Sequence, residues 1–438
     1  MAEDPSRILS DAPMRPPQVV AIALCVLLNA LDGFDVLSIS FASPGIAREW
    51  GVERAALGIV LSMELIGMMV GSIALGALCD RIGRRPTILG CLAIMGSGMA
   101  LAMLANDIAT LSMFRLFTGV GIGGMLAATN AVTAEFANAR RRSMAVAIMA
   151  GGYPVGAIIG GSIASTMFAA GYDWRSVFAL GAVATALCIP LIWFLLPETV
   201  AFLAHKRGPN ALDRVNAVLR RLGHTTIDAL PAPTPGGSRG GIGRLFQPGL
   251  AAITILLTLA YFAHIMTFYF ILKWTPKIVV DMGFSPASAG GVLVWANIGG
   301  ATGALVLSLL TQRLSVRWLT IGGMLLSTAM VAGFGHAPAD LGTLSLIVAV
   351  AGFCTNGAIV GLYAMIAQSF PTALRASGTG FAIGVGRGGA AVSPIIAGFM
   401  FQGGIGFAGV ALTMALGSVV AAGALFLLRY EERGVPAG

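Results

Sequence analysis

Gly76-Ala77-Leu78-Cys79-Asp80-Arg81-Ile82-Gly83-Arg84-Arg85 joins an apolar run at 55–79 to another at 87–105. A helix rising about 1.5 Å per residue crosses a hydrocarbon core of ~30 Å in roughly 20 residues. The charges gathered between the two runs therefore mark a turn at a membrane face. The same turn recurs 232 residues later, where Ser308 to Arg317 follows the run at 287–311. Leu78 matches Leu310, Arg81 matches Arg313 and Arg85 matches Arg317, while Asp80 becomes Gln312. At nearly the same offset, Glu135, Phe136, Arg141 and Ser143 align with Ser369, Phe370, Arg375 and Ser377. A faint repeat of this length predicts two halves built alike, with a site at their interface near the midplane.

Reading outward, apolar runs of about 20 residues cover nearly the whole chain. They fall at 18–41, 55–79, 87–105, 109–134, 143–168, 175–197, 249–272, 287–311, 318–335, 341–367, 376–400 and 405–428. The 438 residues are 57% hydrophobic and 11% charged, with a mean hydropathy of +0.86, which excludes an ordinary soluble domain. The expected fold class is an all-α membrane protein with twelve transmembrane helices in two pseudo-symmetric six-helix bundles. The expected division is an N-terminal tail 1–17, a first bundle 18–197, a cytoplasmic linker 198–246, a second bundle 247–428 and a tail 429–438. Within the linker, 205–221 is basic and weakly amphipathic, and the Pro- and Gly-rich stretch 231–241 reads as a flexible tether without the Lys-Ser/Thr of a phosphate loop.

A net charge of +8 would suggest an acidic partner in a soluble protein, but here its distribution sets topology. With the N-terminus inside, 20 Lys and Arg residues lie on the cytoplasmic side. Five lie outside (Arg48, Arg54, Arg175, Lys273, Lys277) and two within spans (Arg115, Arg387), accounting for all 27. Both termini are thus expected in the cytoplasm of a plasma (inner) membrane protein, with no nucleic-acid partner. The first fifteen residues mix acids, bases and prolines with no small-residue cleavage site behind a short apolar core, so no removable signal is expected and the first span is expected to serve as its own insertion signal. Five cysteines without CxxC or Cys/His spacing support neither a disulfide framework nor a metal site. No cofactor and no clustered catalytic groups are expected, and a monomer is the expected working unit.

The first span carries Asp32-Gly33-Phe34-Asp35. A charge at the bilayer centre costs roughly 2.5 to 3.5 kcal/mol even on insertion scales, so two acids retained there point to a pathway. Asp32 and Asp35 share a helix face with Asn29 one turn below, a stripe expected to face a polar cavity, and Gly33 admits a close neighbour. Arg115 lies at a similar depth in the fourth span. The structural alternative is an ion pair that merely joins two helices. One guanidinium cannot neutralise two carboxylates, however, and the surplus acid is expected to take up a proton, the requirement for coupling.

These motifs together resemble a known family. Gly76 to Arg85 is similar to the loop signature of the major facilitator superfamily, and Arg115 with Gly119, Gly121, Gly123 and Gly124 resembles its fourth-helix motif. Asp32-Gly33-Phe34-Asp35 resembles the DGxD motif of the aromatic acid:proton symporters. Glu135, Pro197-Glu198-Thr199 and Gly384 to Gly389 add to the likeness, which spans about residues 18 to 430. The resemblance implies proton coupling through Asp32, Asp35, Arg115 and Glu135. It also implies a gating latch of Gly76, Asp80, Arg81, Gly83, Arg84 and Arg85. The basic residues of that loop serve topology as well, so the latch rests on Asp80.

Arg387, flanked by glycines in the eleventh span, offers a fork of donors suited to a carboxylate. The alternative is a pair with Asp35 or Glu64. Phe34, Tyr153, His264, Trp295, Asn297 and Asn356 join it as candidate substrate contacts. Tyr261, Phe268, Tyr269, Phe381 and Asn130 complete a group able to line a cavity for a flat ring. His264 matches Asp32 by the repeat offset, and a cavity-facing and a structural histidine stand level. Glu64 reads as a second protonatable or pairing group. The function expected is symport of protons with a small organic anion, most simply an aromatic carboxylate such as a benzoate or hydroxybenzoate. The rival is a proton-coupled exporter, whose Gly-Pro signature is only partly met by Gly152-Tyr153-Pro154. A transporter-like sensor is a further alternative.

Overall fold

The computed structural model describes residues 4–206, 208, 210–230, 242–311, 313–371 and 374–428. The tether 231–241, Gln312 of the repeat and the tail 429–438 lie outside them.

In chain order the helices are α1 (Pro5–Asp11), α2 (Pro16–Trp50), α3 (Arg54–Ile82), α4 (Arg84–Met103), α5 (Ile108–Phe136), α6 (Arg142–Ala169), α7 (Arg175–Leu195), α8 (Val200–Lys206) and α9 (Ala211–Leu222). After a 3-10 turn at Ile242–Phe246 follow α10 (Ala251–Asp281), α11 (Pro286–Leu310), α12 (Val316–Phe334), α13 (Leu341–Ser369), α14 (Arg375–Gly386), α15 (Gly388–Gln402) and α16 (Phe407–Leu427). Among the described residues, twelve spans are long and apolar enough to cross a membrane, with α14 and α15 forming the eleventh between Ser377 and Gln402. In hydrocarbon every peptide group needs an internal partner, which makes helix the only solution for these runs. Their ends are set by capping. Asp107 accepts from the amides of Ala109 and Thr110, each at 2.9 Å, and Asp340 accepts from that of Thr343 at 2.7 Å.

Two spans run further than their composition predicts. The first, read as 18–41, continues through Pro44 to Trp50, and the seventh, read as 249–272, continues through Pro276 to Asp281. Both prolines lie inside their helices, where each removes one backbone donor. Gly45 lies against Trp174, where an added Cβ would be 2.8 Å from the Trp174 Cβ.

The residues form two compact units. One comprises 1–36, 66–157 and 175–236, the other 37–65, 158–174 and 237–438. The boundary cuts α2, α3 and α6, each long enough to belong to one unit at one end and to the other at its opposite end.

Within the first unit α4 packs on α5 and α7, and α2 meets α6 so closely that a Cβ on Gly33 would fall 2.0 Å from the Tyr153 carbonyl oxygen. Within the second, α11 packs on α13 and α10 on α16. The internal repeat has a structural echo. Arg85 donates to the Trp193 carbonyl at the end of α7, and Arg317 donates to Leu425 and Phe426 carbonyls at 3.1 and 2.7 Å at the end of α16. Each aligned arginine stacks on a tryptophan, Arg85 on Trp193 and Arg317 on Trp318. The equivalent residue thus closes the last span of each half.

Candidate functional site

Among the described residues, four clusters hold the candidate site charges. In the first unit, Asp32 (2% exposed) and Asp35 (0%) lie on α2, and Arg115 (0%) lies on α5. Arg115 Nη2 donates to the Asp35 carbonyl at 2.9 Å, its Nη1 meets Met99 Sδ at 3.0 Å, and its guanidinium lies 5.3 Å from the Phe178 ring centre. Gly181 on α7 leaves room for Asp35, since a Cβ there would stand 3.0 Å from Oδ1. The expectation that these acids line an open polar cavity is corrected: in this conformation α4, α6 and α7 close over them. Asn29 is a fastener between helices, donating to the Met149 and Ala150 carbonyls of α6 at 2.7 and 3.3 Å. Phe34 is buried beside them and Tyr153 is half-buried.

Glu135 belongs elsewhere. It is 20 residues beyond Arg115 on α5, about 30 Å along the axis, and it receives Arg84 Nη2 and Nε at 3.0 and 3.2 Å. Arg84 also meets Asp80 at 3.3 Å, but Asp80 is 58% exposed against 21% for Glu135. The latch candidates therefore centre on Arg84 and Glu135. Gly83 has φ 112°, a conformation L side chains rarely adopt, and a Cβ there would strike Glu198 Oε2 at 2.3 Å. That backbone lets Glu198 accept the Arg84 and Arg85 amides at 3.1 and 3.2 Å, capping α4. Burial pushes the Glu198 carboxyl above its ordinary value, and the Thr199, Arg84 and Arg85 amides pull it back. Arg81 takes part through its carbonyl, which accepts Lys206 Nζ at 2.9 Å. Gly76 faces only Ala127 at 3.6 Å, so nothing there requires a glycine.

In the second unit the eleventh span breaks at Arg387, which ends α14 and begins α15. The half-buried guanidinium lies within reach of the Tyr261 hydroxyl, and the Tyr261 and Tyr363 hydroxyls are 3.0 Å apart with ring centres at 5.6 Å. Tyr269 lies within electrostatic reach of the same guanidinium. Gly386 makes the room, because a Cβ there would lie 2.2 Å from the Tyr261 ring. Tyr363 was not anticipated; nothing in its spacing distinguishes it from a packing aromatic.

His264 is corrected from candidate contact to structural link. It is fully buried, with Nδ1 2.9 Å from Ser418 Oγ and Nε2 2.9 Å from the Thr355 carbonyl, so both ring nitrogens are engaged. Asn297 is buried and bonds within its own helix to Leu293 at 2.9 Å, and Asn356 fastens α13 to the Gly300 carbonyl at 2.8 Å. Asn130 likewise bonds within its helix to Leu126 at 2.8 Å. Trp295 is exposed. Phe268 stacks edge-on with Tyr269, and Phe381 with Phe246.

The fourth cluster corrects a topological reading. Lys273, expected outside the membrane, is fully buried in α10, 3.5 Å from the equally buried Glu64 of α3. No group of three or more potential metal ligands occurs among the described residues.

The profile of the Major Facilitator Superfamily matches residues 23–296 and 257–438. The chain belongs to that superfamily. It is an integral membrane protein. The chain is 32% identical over 415 residues to the 3-(3-hydroxy-phenyl)propionate transporter of Escherichia coli (strain K12), covering 94% of each. It is 30% identical over 406 residues to the gallate transporter of Pseudomonas putida, covering 91% of this chain and 89% of that one. It is also 30% identical over 394 residues to a 4-hydroxybenzoate transporter of Acinetobacter baylyi (strain ATCC 33305 / BD413 / ADP1), covering 88% and 86%. It thus resembles the aromatic acid:proton symporters within the superfamily. The inward open conformation of the xylose transporter XylE from E. coli has the same fold, with TM-score 0.73 at 18% identity over 95% of this chain and 97% of that one.

Proposed function

We propose that this chain is a proton-coupled importer of an aromatic carboxylate, set in the plasma membrane with both termini in the cytoplasm. The observation that carries the reading is the buried trio of Asp32, Asp35 and Arg115. Two buried carboxylates and one permanent cation stand in one cluster, a charge balance that the uptake of a single proton would change. Such a site differs by one charge between its two states, and burial makes that difference decisive for which helix packing is stable.

The binding half of the proposal rests on Arg387 with Tyr261 and Tyr363. A guanidinium set among phenols keeps its positive charge available to a carboxylate, and tyrosine faces suit a flat ring. Three relatives whose names specify hydroxylated aromatic acids support the same substrate class. Moving Lys273 out of the external count leaves Arg48, Arg54, Arg175 and Lys277 as the cations of that face, which sharpens the charge asymmetry behind the assigned orientation. In the cycle proposed, a proton reaches the trio from outside, substrate meets Arg387, and the helices rearrange to release both inside. The latch at Arg84 and Glu135 breaks and re-forms with that rearrangement.

The experiment is counterflow and gradient-driven uptake in proteoliposomes with benzoates, hydroxybenzoates and non-aromatic dicarboxylates. Accumulation of one aromatic class with an inward proton gradient is expected. Accumulation driven only by the opposite gradient would identify an exporter, and binding without accumulation a sensor.

A further inference from the structure

Glu64 and Lys273 lie outside the site just described. Both are fully buried, and their charged atoms are 3.5 Å apart across α3 and α10. They form the inner rung of a seam. Ten residues toward the start of α3, Arg54 meets Asp281 at 3.2 Å, and Asp281 also holds Lys277. Between the rungs the backbone of α3 rests on α15, where a Cβ on Gly58 would lie 2.4 Å from the Pro394 carbonyl oxygen. Gln402 at the end of α15 closes the rim, bonding to Glu53 at 2.6 Å and to the Ala55 amide at 3.2 Å.

The two rungs differ in kind. The outer pair is solvent-exposed and contributes little to holding the seam. The inner pair has left water altogether, so each charge lowers the cost of burying the other. Removing one leaves its partner buried with that compensation lost, whereas removing both leaves an ordinary helix contact.

We infer that Glu64 and Lys273 are a charge lock on the outer end of the transport path: the closed seam accepts both charges or neither, and rejects one. The inference rests on the proposed transport function for what the seam gates. Glu64 and Lys273 act as gating residues and need not touch the substrate.

Ser62 is fully buried and shares a helix face with Gly58, to whose carbonyl it donates at 3.0 Å, so a cysteine there reports opening of the seam. The test is labelling of full-length Ser62→Cys protein in proteoliposomes by a membrane-impermeant maleimide added to either side. Protein with Ser62 intact is the blank for the five buried native cysteines. Glu64→Gln or Lys273→Met should raise labelling from the outer side about tenfold or more. The exchange Glu64→Lys with Lys273→Glu, and the apolar pair Glu64→Met with Lys273→Met, should label at or below the parent rate. Parental labelling in both single variants would overturn the lock. So would an exchanged or apolar pair that labels as fast as a single variant, and these pairs remain informative if the singles fail to fold. Labelling confined to the inner side would overturn the placement of the lock. Counterflow by the parent protein, measured in parallel, reports on the transport reading separately.

Discussion

Replacing Gly33 by alanine tests the packing that encloses the carboxylates. The added methyl carbon would stand 2.0 Å from the Tyr153 carbonyl oxygen, 2.7 Å from its carbon and 3.0 Å from its Cα. These are backbone atoms and cannot rotate away. Ordinary contact begins near 3.4 Å, so α2 and α6 must part by about 1 Å or more. Overpacking of this kind costs about 1 to 3 kcal/mol. The same displacement stretches the Asn29 bond to Met149, now 2.7 Å, with a loss of about 1 kcal/mol. It also moves Asp32 and Asp35 relative to Arg115. Gly151, on α6 with nothing within 4 Å of its added Cβ, is the control. There alanine gains up to about 1 kcal/mol of helix propensity. Thermal denaturation in detergent should rank Gly151→Ala at or above the parent and Gly33→Ala several degrees below it, and gradient-driven uptake should fall only in the latter. A Gly33→Ala protein with parental midpoint and uptake would refute the close approach of α2 and α6.

Three further outcomes follow from the geometry. Glu135→Gln should slow maximal uptake more than Asp80→Asn, since Arg84 is held by two bonds to Glu135 and one longer, more exposed contact to Asp80; initial rates at saturating substrate check the order. Arg387→Ala should raise the half-saturating substrate concentration about tenfold or more, with Arg387→Lys between it and the parent, in keeping with the roughly 1.5 to 3 kcal/mol of a charged hydrogen bond. Burial raises the Glu198 carboxyl, so the folded protein holds that proton more tightly than the unfolded chain. Its contribution therefore favours folding at low pH and is lost as pH rises from the ordinary carboxyl value to the raised one. Glu198→Gln should remove that dependence from a pH series of denaturation midpoints.

Asp32, Asp35 and Arg115 were legible because charge inside a 20-residue apolar run contrasts with everything around it. Lys273 was not. With Trp274, Pro276 and Lys277 behind it, it has the composition of a span ending at a membrane face, and the Glu64 it meets is 209 residues earlier. The role of His264 turned on a hydroxyl 154 residues away and on a carbonyl of α13, neither of which leaves a trace in local spacing. Glu135 carried a family likeness but no direction, and its place with Arg84 follows from the length of α5. The glycines around Arg387 signalled close packing, yet the break in the eleventh span and the role of Tyr363 needed the neighbouring helix. Sequence pattern reports which residues are out of place in lipid; it does not report which of them meet.

The most direct measurement is proton movement during substrate entry into lightly buffered proteoliposomes. Addition of a hydroxybenzoate should alkalinise the outside with the parent protein, and the Asp32→Asn, Asp35→Asn double variant should lose this signal while retaining substrate counterflow. Undiminished proton uptake by the double variant would contradict the account.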